Sequence, residues 1–169
     1  MENAIIISHR FYEDPLIIPL RTHVHDKWEF LFVAKGMLSC TIEGSRYAVR
    51  DGSLLVFKPA QLHRIQASGS SPFEYFSILC EEEALPDPVR NVLENRIGIF
   101  CFHDGRTVYS EFCDIQKRSE NADSSCDANS RSIYDFWETV FNHIDKDAFP
   151  DLLSEDLLLK NPSPILPVM

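Results

Sequence analysis

The residues best suited to chemistry fall in two short stretches. His23-Val24-His25-Asp26-Lys27-Trp28-Glu29 is closed by Gly36, and Gly52, Pro59 and His63 follow further along. On an extended strand alternate side chains share a face, so His23 and His25 point the same way. Glu29, four positions on, returns to that face if the chain bends near Asp26-Lys27. His63 opens a later apolar run, where antiparallel pairing can set it opposite the first group. Three imidazoles and a carboxylate brought together suit a divalent Zn, Fe, Mn, Ni or Cu ion. The same side chains can also form a hydrogen-bonded polar cluster that holds a small molecule without a metal. Residue type and spacing leave both readings open.

Around this group other residues fit a ligand site. Arg21 and Arg64 flank the histidines, and a planar guanidinium there suits a carboxylate, a phosphate or sugar hydroxyls. Trp28, Phe30, Phe32, Phe57 and Tyr75 can line an apolar pocket, or they can be core, since alternation on strands serves both. His9, His103 and His143 have no partners at ligand spacing and read as surface or interface residues.

The elements that must position these groups are short strands. From Ile5 to Cys80, runs rich in Ile, Val, Phe, Tyr and Leu alternate with turn signals every eight to twelve residues, as in an antiparallel sandwich or barrel. Strands are predicted over 4–8, 16–23, 30–34, 37–42, 46–49, 53–58, 63–67 and 73–79. Glu43-Gly44-Ser45 and Asp51-Gly52 read as turns, as does 67–72 with its Ser and Gly. Glu81-Glu82-Glu83, Pro86 and Pro88 end the series as a solvated turn, and 97–102 is a candidate for one last buried strand or a short helix. Helical spacing follows over 106–117. The polar stretch 119–132 shows no apolar period and reads as a mobile loop. Ile133, Phe136, Trp137, Val140, Phe141 and Ile144 then recur as on a strongly amphipathic helix, with Ser132 and Asp135 resembling a capping box and Pro150 a stop. A shorter helix is expected over 152–159, and the three prolines of 161–169 read as a linker.

The 169 residues, 44% hydrophobic and 25% charged, suffice for one domain with a core. Sixteen basic against 26 acidic side chains, with no basic run, argue against direct nucleic-acid contact by this chain. No stretch approaches the roughly 20 apolar residues that span a bilayer. The first residues lack the positive region of a signal peptide. Five cysteines without a C-x-x-C pair fit neither a disulfide framework nor a zinc knuckle, and a reduced cytoplasmic setting is expected.

The spacing H-x-H-x3-E-x6-G, filled by His23, His25, Glu29 and Gly36 and followed by Gly52, Pro59 and His63, resembles the two-part signature of the cupins. The Gly that precedes the histidines in that family is absent, Gln61 stands where a Gly is expected, and Ala67 where an Asn often lies. The wider stretches 23–36 and 51–64 resemble the N-terminal sensor domain of AraC-type transcription regulators. The resemblance implies a mainly β fold: a cupin-type double-stranded β-helix (jelly-roll) barrel followed by C-terminal dimerisation helices. It implies a barrel over 1–104, a helical dimerisation segment over 105–160, and a linker over 161–169 leading towards a DNA-binding half that this sequence does not contain. It implies a small-molecule effector bound by Arg21, His23, His25, Trp28, Glu29 and His63, with no catalytic residue. His23, His25, Glu29 and His63 would be the ligands of one divalent ion such as Zn, Fe, Mn or Ni. The expected partners are the effector and a second copy of the chain: the Trp137 face of the C-terminal helices must bury either against the outside of the barrel or against that second copy, and the resemblance favours the copy. The alternative from another class is a stand-alone metal-dependent cupin enzyme of the dioxygenase or isomerase kind.

Overall fold

A computed structural model of the chain describes residues 5–14, 22–94, 98–121, 126–144 and 151–152. Nine strands and three α-helices follow in the order β1 (Ile6–Tyr12), β2 (Trp28–Lys35), β3 (Met37–Ile42), β4 (Ser45–Arg50), β5 (Ser53–Phe57), β6 (His63–Ser68), β7 (Phe73–Cys80), α1 (Asp87–Glu94), β8 (Ile99–Cys101), α2 (Gly105–Asn121), α3 (Cys126–Asn142) and β9 (Asp151–Leu152). They form two antiparallel sheets, one ordered β1-β7-β2-β5-β8 and the other β6-β3-β4-β9. This is the mainly β, jelly-roll arrangement that the strand spacing and the motifs lead one to expect, although among the described residues the two sheets face each other without pairing into a closed barrel.

The turns do what their residues predict. Glu43 and Gly44 both have positive φ, 48° and 87°, and close the β3–β4 hairpin tightly. Gly36 has φ 91°, and a Cβ there would meet the Pro72 carbonyl oxygen at 2.8 Å, so the motif glycine is required by geometry as well as by conformation. Gly52 carries the chain from one sheet to the other, since β4 and β5 do not pair.

One sheet is covered on both sides, which explains why β2 and β5 read as continuous apolar runs. Leu31, Val33, Leu55 and Phe57 face the second sheet and meet Leu38, Cys40, Tyr47 and Val49 in the barrel interior. The intervening Trp28, Phe30, Phe32, Leu54 and Val56 face the helices. There Val108, Phe112 and Ile115 of α2 and Ile133, Phe136, Trp137 and Val140 of α3 complete a second core. The Phe30 and Trp137 rings lie 4.3 Å apart, and Phe32 stacks on Phe112 at 4.8 Å. Barrel and helices are thus joined by apolar burial, and an isolated bridge from Phe102 to Ile144 pins the end of α3.

This packing corrects several expectations. The Phe136, Trp137, Val140 and Ile144 face is buried within the chain, so it is not free to hold a second copy. Enough apolar surface on the outer side of β2 and β5 exists to take it, a fact that helix periodicity alone does not reveal. The stretch 119–132 is helical wherever it is described, because α2 continues to Asn121 and α3 starts at Cys126. It lacks an apolar period, yet it also lacks the Pro and Gly that would stop a helix. Ser132 consequently sits inside α3 and is no N-cap. Leu152 belongs to β9, which pairs with β4 opposite Tyr47 and Ala48, whereas the rest of the helix expected over 152–159 and the linker over 161–169 lie outside the described residues. The strand expected over 16–23 lies largely outside them as well, and the candidate strand over 97–102 is β8, paired with β5. Among the described residues no helix is long and apolar enough to cross a membrane.

Candidate functional site

The four predicted donors converge. One ligand atom from each of His23, His25, Glu29 and His63 lies within 4.8 Å of the others. His23 is held by an isolated antiparallel bridge to His63, with backbone hydrogen bonds of 3.0 and 3.2 Å. The Ala60 N–H donates to the His25 carbonyl at 2.8 Å and fixes the segment ahead of β2 against the loop ahead of β6. Glu29 starts the inward row of β2, which continues through Leu31 and Val33. The ring centroids of His23 and His63 are 4.3 Å apart, and those of His25 and His63 5.0 Å.

The hydrogen bonds around the rings decide which nitrogens can bind. His25 Nδ1 is 2.7 Å from the Lys27 carbonyl oxygen, and His63 Nδ1 is 2.9 Å from that of Gln61. A carbonyl only accepts, so Nδ1 of each ring carries a proton and Nε2 of each ring is the atom turned to the centre. Both Nε2 atoms face the Glu29 carboxylate: His25 Nε2 is hydrogen bonded to Oε2 at 2.9 Å, and His63 Nε2 lies 3.4 Å from the same oxygen. His63 Nε2 is buried and makes no hydrogen bond among the described residues. The His25–Glu29 hydrogen bond needs a proton on Nε2; a cation in its place would be met by the Nε2 atoms, the Glu29 carboxylate and His23 together, and this donor set fits a divalent metal.

Glu29 is prepared for that role. Burial pushes its carboxyl upward, and contacts from His63, His25 and Ser77 outweigh burial and hold it below its ordinary value, as a carboxylate. The Ser77 hydroxyl, on β7, donates to Oε1 at 3.0 Å and leaves Oε2 to the histidines. Phe57 stacks on His63 with centroids 3.9 Å apart and planes 7° from parallel, which sets the ring angle. Burial is graded across the site, from exposed His23 to His63 at 1% exposure, so the cluster opens to solvent on the His23 side.

Not every expected site residue joins it. Trp28 is adjacent to Glu29 on β2 and therefore faces the other way, into the helix-side core with Phe30 and Phe32. Phe57 and Tyr75 do lie on the barrel-interior side. Arg21 lies outside the described residues. Arg64 follows inward-facing His63 and so takes the outer face of β6. His9 pairs with Glu74 at 2.7 Å and stacks on Phe76, away from the cluster. Ser77 and the carbonyls of Lys27 and Gln61 were not foreseen. Ser77 is one serine among many in the sequence, and only the β2–β7 register, which sets it opposite Leu31, brings it near Glu29.

The sequence profile of the AraC-like ligand binding domain matches residues 20–132. Among curated proteins none matches. Among solved structures the chain is similar to an RmlC-like cupin family protein with a double-stranded β-helix fold from Methanocaldococcus jannaschii, at 20% identity and TM-score 0.42 over 48% of this chain and 72% of that one. It is also similar to a cupin protein from Bacteroides fragilis, at 23% identity and TM-score 0.39 over 48% and 68% of the two chains. A cupin 2 conserved barrel domain protein from Salinispora arenicola aligns at 14% identity and TM-score 0.40 over 49% and 68%.

Proposed function

The chain belongs to the AraC-like ligand binding domain family, and from that premise we propose that it is the effector-binding domain of an AraC-type transcription regulator. The small-molecule effector enters at the solvent-facing side of the cluster formed by His23, His25, Glu29 and His63. The observation that carries this reading is the convergence of one donor atom each from His23, His25, Glu29 and His63, all within 4.8 Å of one another. A buried arrangement of that kind attracts a cation, and a cation attracts an oxygen- or nitrogen-bearing effector.

In this reading His23, His25, Glu29 and His63 hold one divalent ion, which when bound supplies Lewis-acidic charge for anchoring the effector. The Lys27 and Gln61 carbonyls keep the His25 and His63 rings in the ligating tautomer, Ser77 orients Glu29, and Phe57 excludes water behind His63. The β-sheet part is the receiver, and α2 and α3 are the output. Consecutive residues of β2 link the two: Glu29 points into the site, while Phe30 touches Trp137 of α3. An effector that binds better to one arrangement of Glu29 biases the packing of α3 by that difference. Homodimerisation through the helices belongs to the same reading, and it falls to faces that stay exposed, such as that of Tyr134.

The test is to strip the protein with EDTA and titrate it with Zn or Mn, following bound metal by equilibrium dialysis and indole fluorescence. One ion per chain is expected, with an emission change from Trp28 or Trp137, and Glu29→Gln abolishing both. Wild-type protein that takes up no ion refutes the metal centre. The complete donor set also favours a second reading, a metal-dependent cupin enzyme. Stoichiometric metal together with turnover of a candidate substrate supports that reading against the sensor.

A further inference from the structure

At the other end of β2 a cleft of about 570 Å³ opens between the barrel and the start of α2. Lys35 lies six residues along the strand from Glu29, roughly 20 Å at about 3.3 Å per residue. The cleft is therefore separate from the histidine cluster, and it lies on the helix side of the sheet. Its volume falls in the range of about 300–1,000 Å³ that small-molecule sites occupy.

The charges lining it are unequally engaged. Glu74 is met by His9 at 2.7 Å and by the Tyr109 hydroxyl at 3.4 Å. Asp104 accepts the backbone N–H groups of Arg106 and Thr107 at 3.1 and 3.2 Å and the Thr107 hydroxyl at 2.7 Å. The carboxylate thereby also occupies the start of α2, and the helix end itself recruits nothing. Lys35 and Arg106, by contrast, are exposed and have no ion pair among the described residues. The lining also includes Ala34 and the exposed Tyr109, which supply apolar surface, and Gly52 and Gly105. Asp51, exposed on the lip, adds one negative charge that disfavours a second anionic group on a ligand.

We propose that this cleft is a second small-molecule site, for a monocarboxylate with an apolar body. The carboxylate is met by Lys35 and Arg106, and the body rests on Ala34 and Tyr109. A ligand held there touches both the barrel and α2, so it would act on the output helices without passing through the metal cluster. The inference stands on the cleft alone and does not depend on the cation reading of the cluster.

The experiment uses the full chain after EDTA treatment, so that no metal can capture a carboxylate. Two probes of equal size, 3-phenylpropionate and phenethylamine, are titrated by isothermal calorimetry. The expected result is binding of the acid with Kd below about 1 mM, a modest affinity of about 4 kcal/mol, and no binding of the amine. Lys35→Ala with Arg106→Ala weakens the acid about tenfold or more, as expected for losing charge-assisted hydrogen bonds, whereas Lys117→Ala, which removes an exposed charge of α2 outside the cleft, leaves it unchanged. Lys35→Arg retains binding, which separates charge from side-chain loss. Equal binding of acid and amine, an unaltered Kd in the double variant, an equal loss in Lys117→Ala, or no binding of the acid overturns the assignment.

Discussion

Replacing Trp137 by alanine tests which surface its helix face serves. Trp137 is 0% exposed, with its ring 4.3 Å from Phe30 and 4.9 Å from Phe136. A buried aromatic of this size removes about 150–250 Å² from water. At about 25 cal/mol per Å² this corresponds to roughly 4–6 kcal/mol, and Trp→Ala changes in cores cost about 3–5 kcal/mol. Against a total of about 5–15 kcal/mol for a domain, a loss near 4 leaves a marginal fold. With a urea slope of about 2 kcal/mol per molar, the midpoint falls by about 2 M. Because the partners of Trp137 belong to its own chain, the deficit is the same at all protein concentrations. An interface would behave otherwise, since linked association shifts stability by about 1.4 kcal/mol for each tenfold change in concentration. Urea unfolding followed by circular dichroism, at two concentrations about a hundredfold apart, separates the cases. Trp137→Phe is the control: the indole Nε1 has no hydrogen-bond partner, so the phenyl ring loses volume but no hydrogen bond, and it costs less than half as much. If the alanine variant merely dissociates, with an unchanged monomer midpoint, the intramolecular core reading is refuted.

Three further outcomes follow from local geometry. Gly36→Ala forces φ 91° on an L-residue and sets its Cβ 2.8 Å from the Pro72 oxygen; a loss of about 1–3 kcal/mol is expected from the backbone alone, and thermal unfolding unchanged from wild type contradicts it. The Thr107 hydroxyl, the Thr107 N–H and the Arg106 N–H together hold the Asp104 carboxyl below its ordinary 3.8. A lowered folded value means stability present above 3.8 and lost as pH falls through the folded value, so the Tm deficit of Asp104→Ala at pH 7 shrinks at pH 3 and below; a deficit that grows on acidification sinks this. Burial pushes the Cys40 and Cys80 thiols up to about 12, so native alkylation at pH 8, read by mass spectrometry, leaves both unmodified while the half-buried Cys101 and Cys113 react first.

The donor cluster was legible because its logic is local. Two histidines two apart on an extended segment must share a face, and an antiparallel register can set one later histidine opposite the first. Strand placement was legible for the same reason: Gly36, Gly44 and Gly52 stand where positive φ is needed. What was not legible depends on which side of a sheet is covered. Trp28 sits beside Glu29 in sequence, and period-two alternation sends it to the opposite face; an apolar residue next to a motif is for that reason a poor pocket candidate. The Trp137 face was assigned to a partner because the helix pattern demands burial without saying where. The continuous apolar runs of β2 and β5 were the available signal, since a strand buried on both faces needs a second layer. The polar helical stretch up to Asn121 and from Cys126 gave no periodic signal at all, because solvated helix faces carry none.

That double covering of β2 bears directly on how a sensor of this build can work. A site inside the barrel and a helix outside it are separated by one strand, and the strand's side chains alternate between them. Moving Glu29 alone does little, because packed cores resist continuous deformation and respond by switching between discrete arrangements. An effector must therefore favour one arrangement of Phe30 against Trp137 over another. Driving such a pair of states from about 1:99 to 99:1 needs about 5.5 kcal/mol of differential binding, more than one neutral hydrogen bond, worth about 1 kcal/mol, supplies. A charged centre among His23, His25, Glu29 and His63 can provide it, since an added cation would be met by the ring nitrogens and the carboxylate together. If Glu29→Gln removes metal uptake and yet leaves the effector-induced indole emission change intact, the coupling runs by another route and β2 is only a wall.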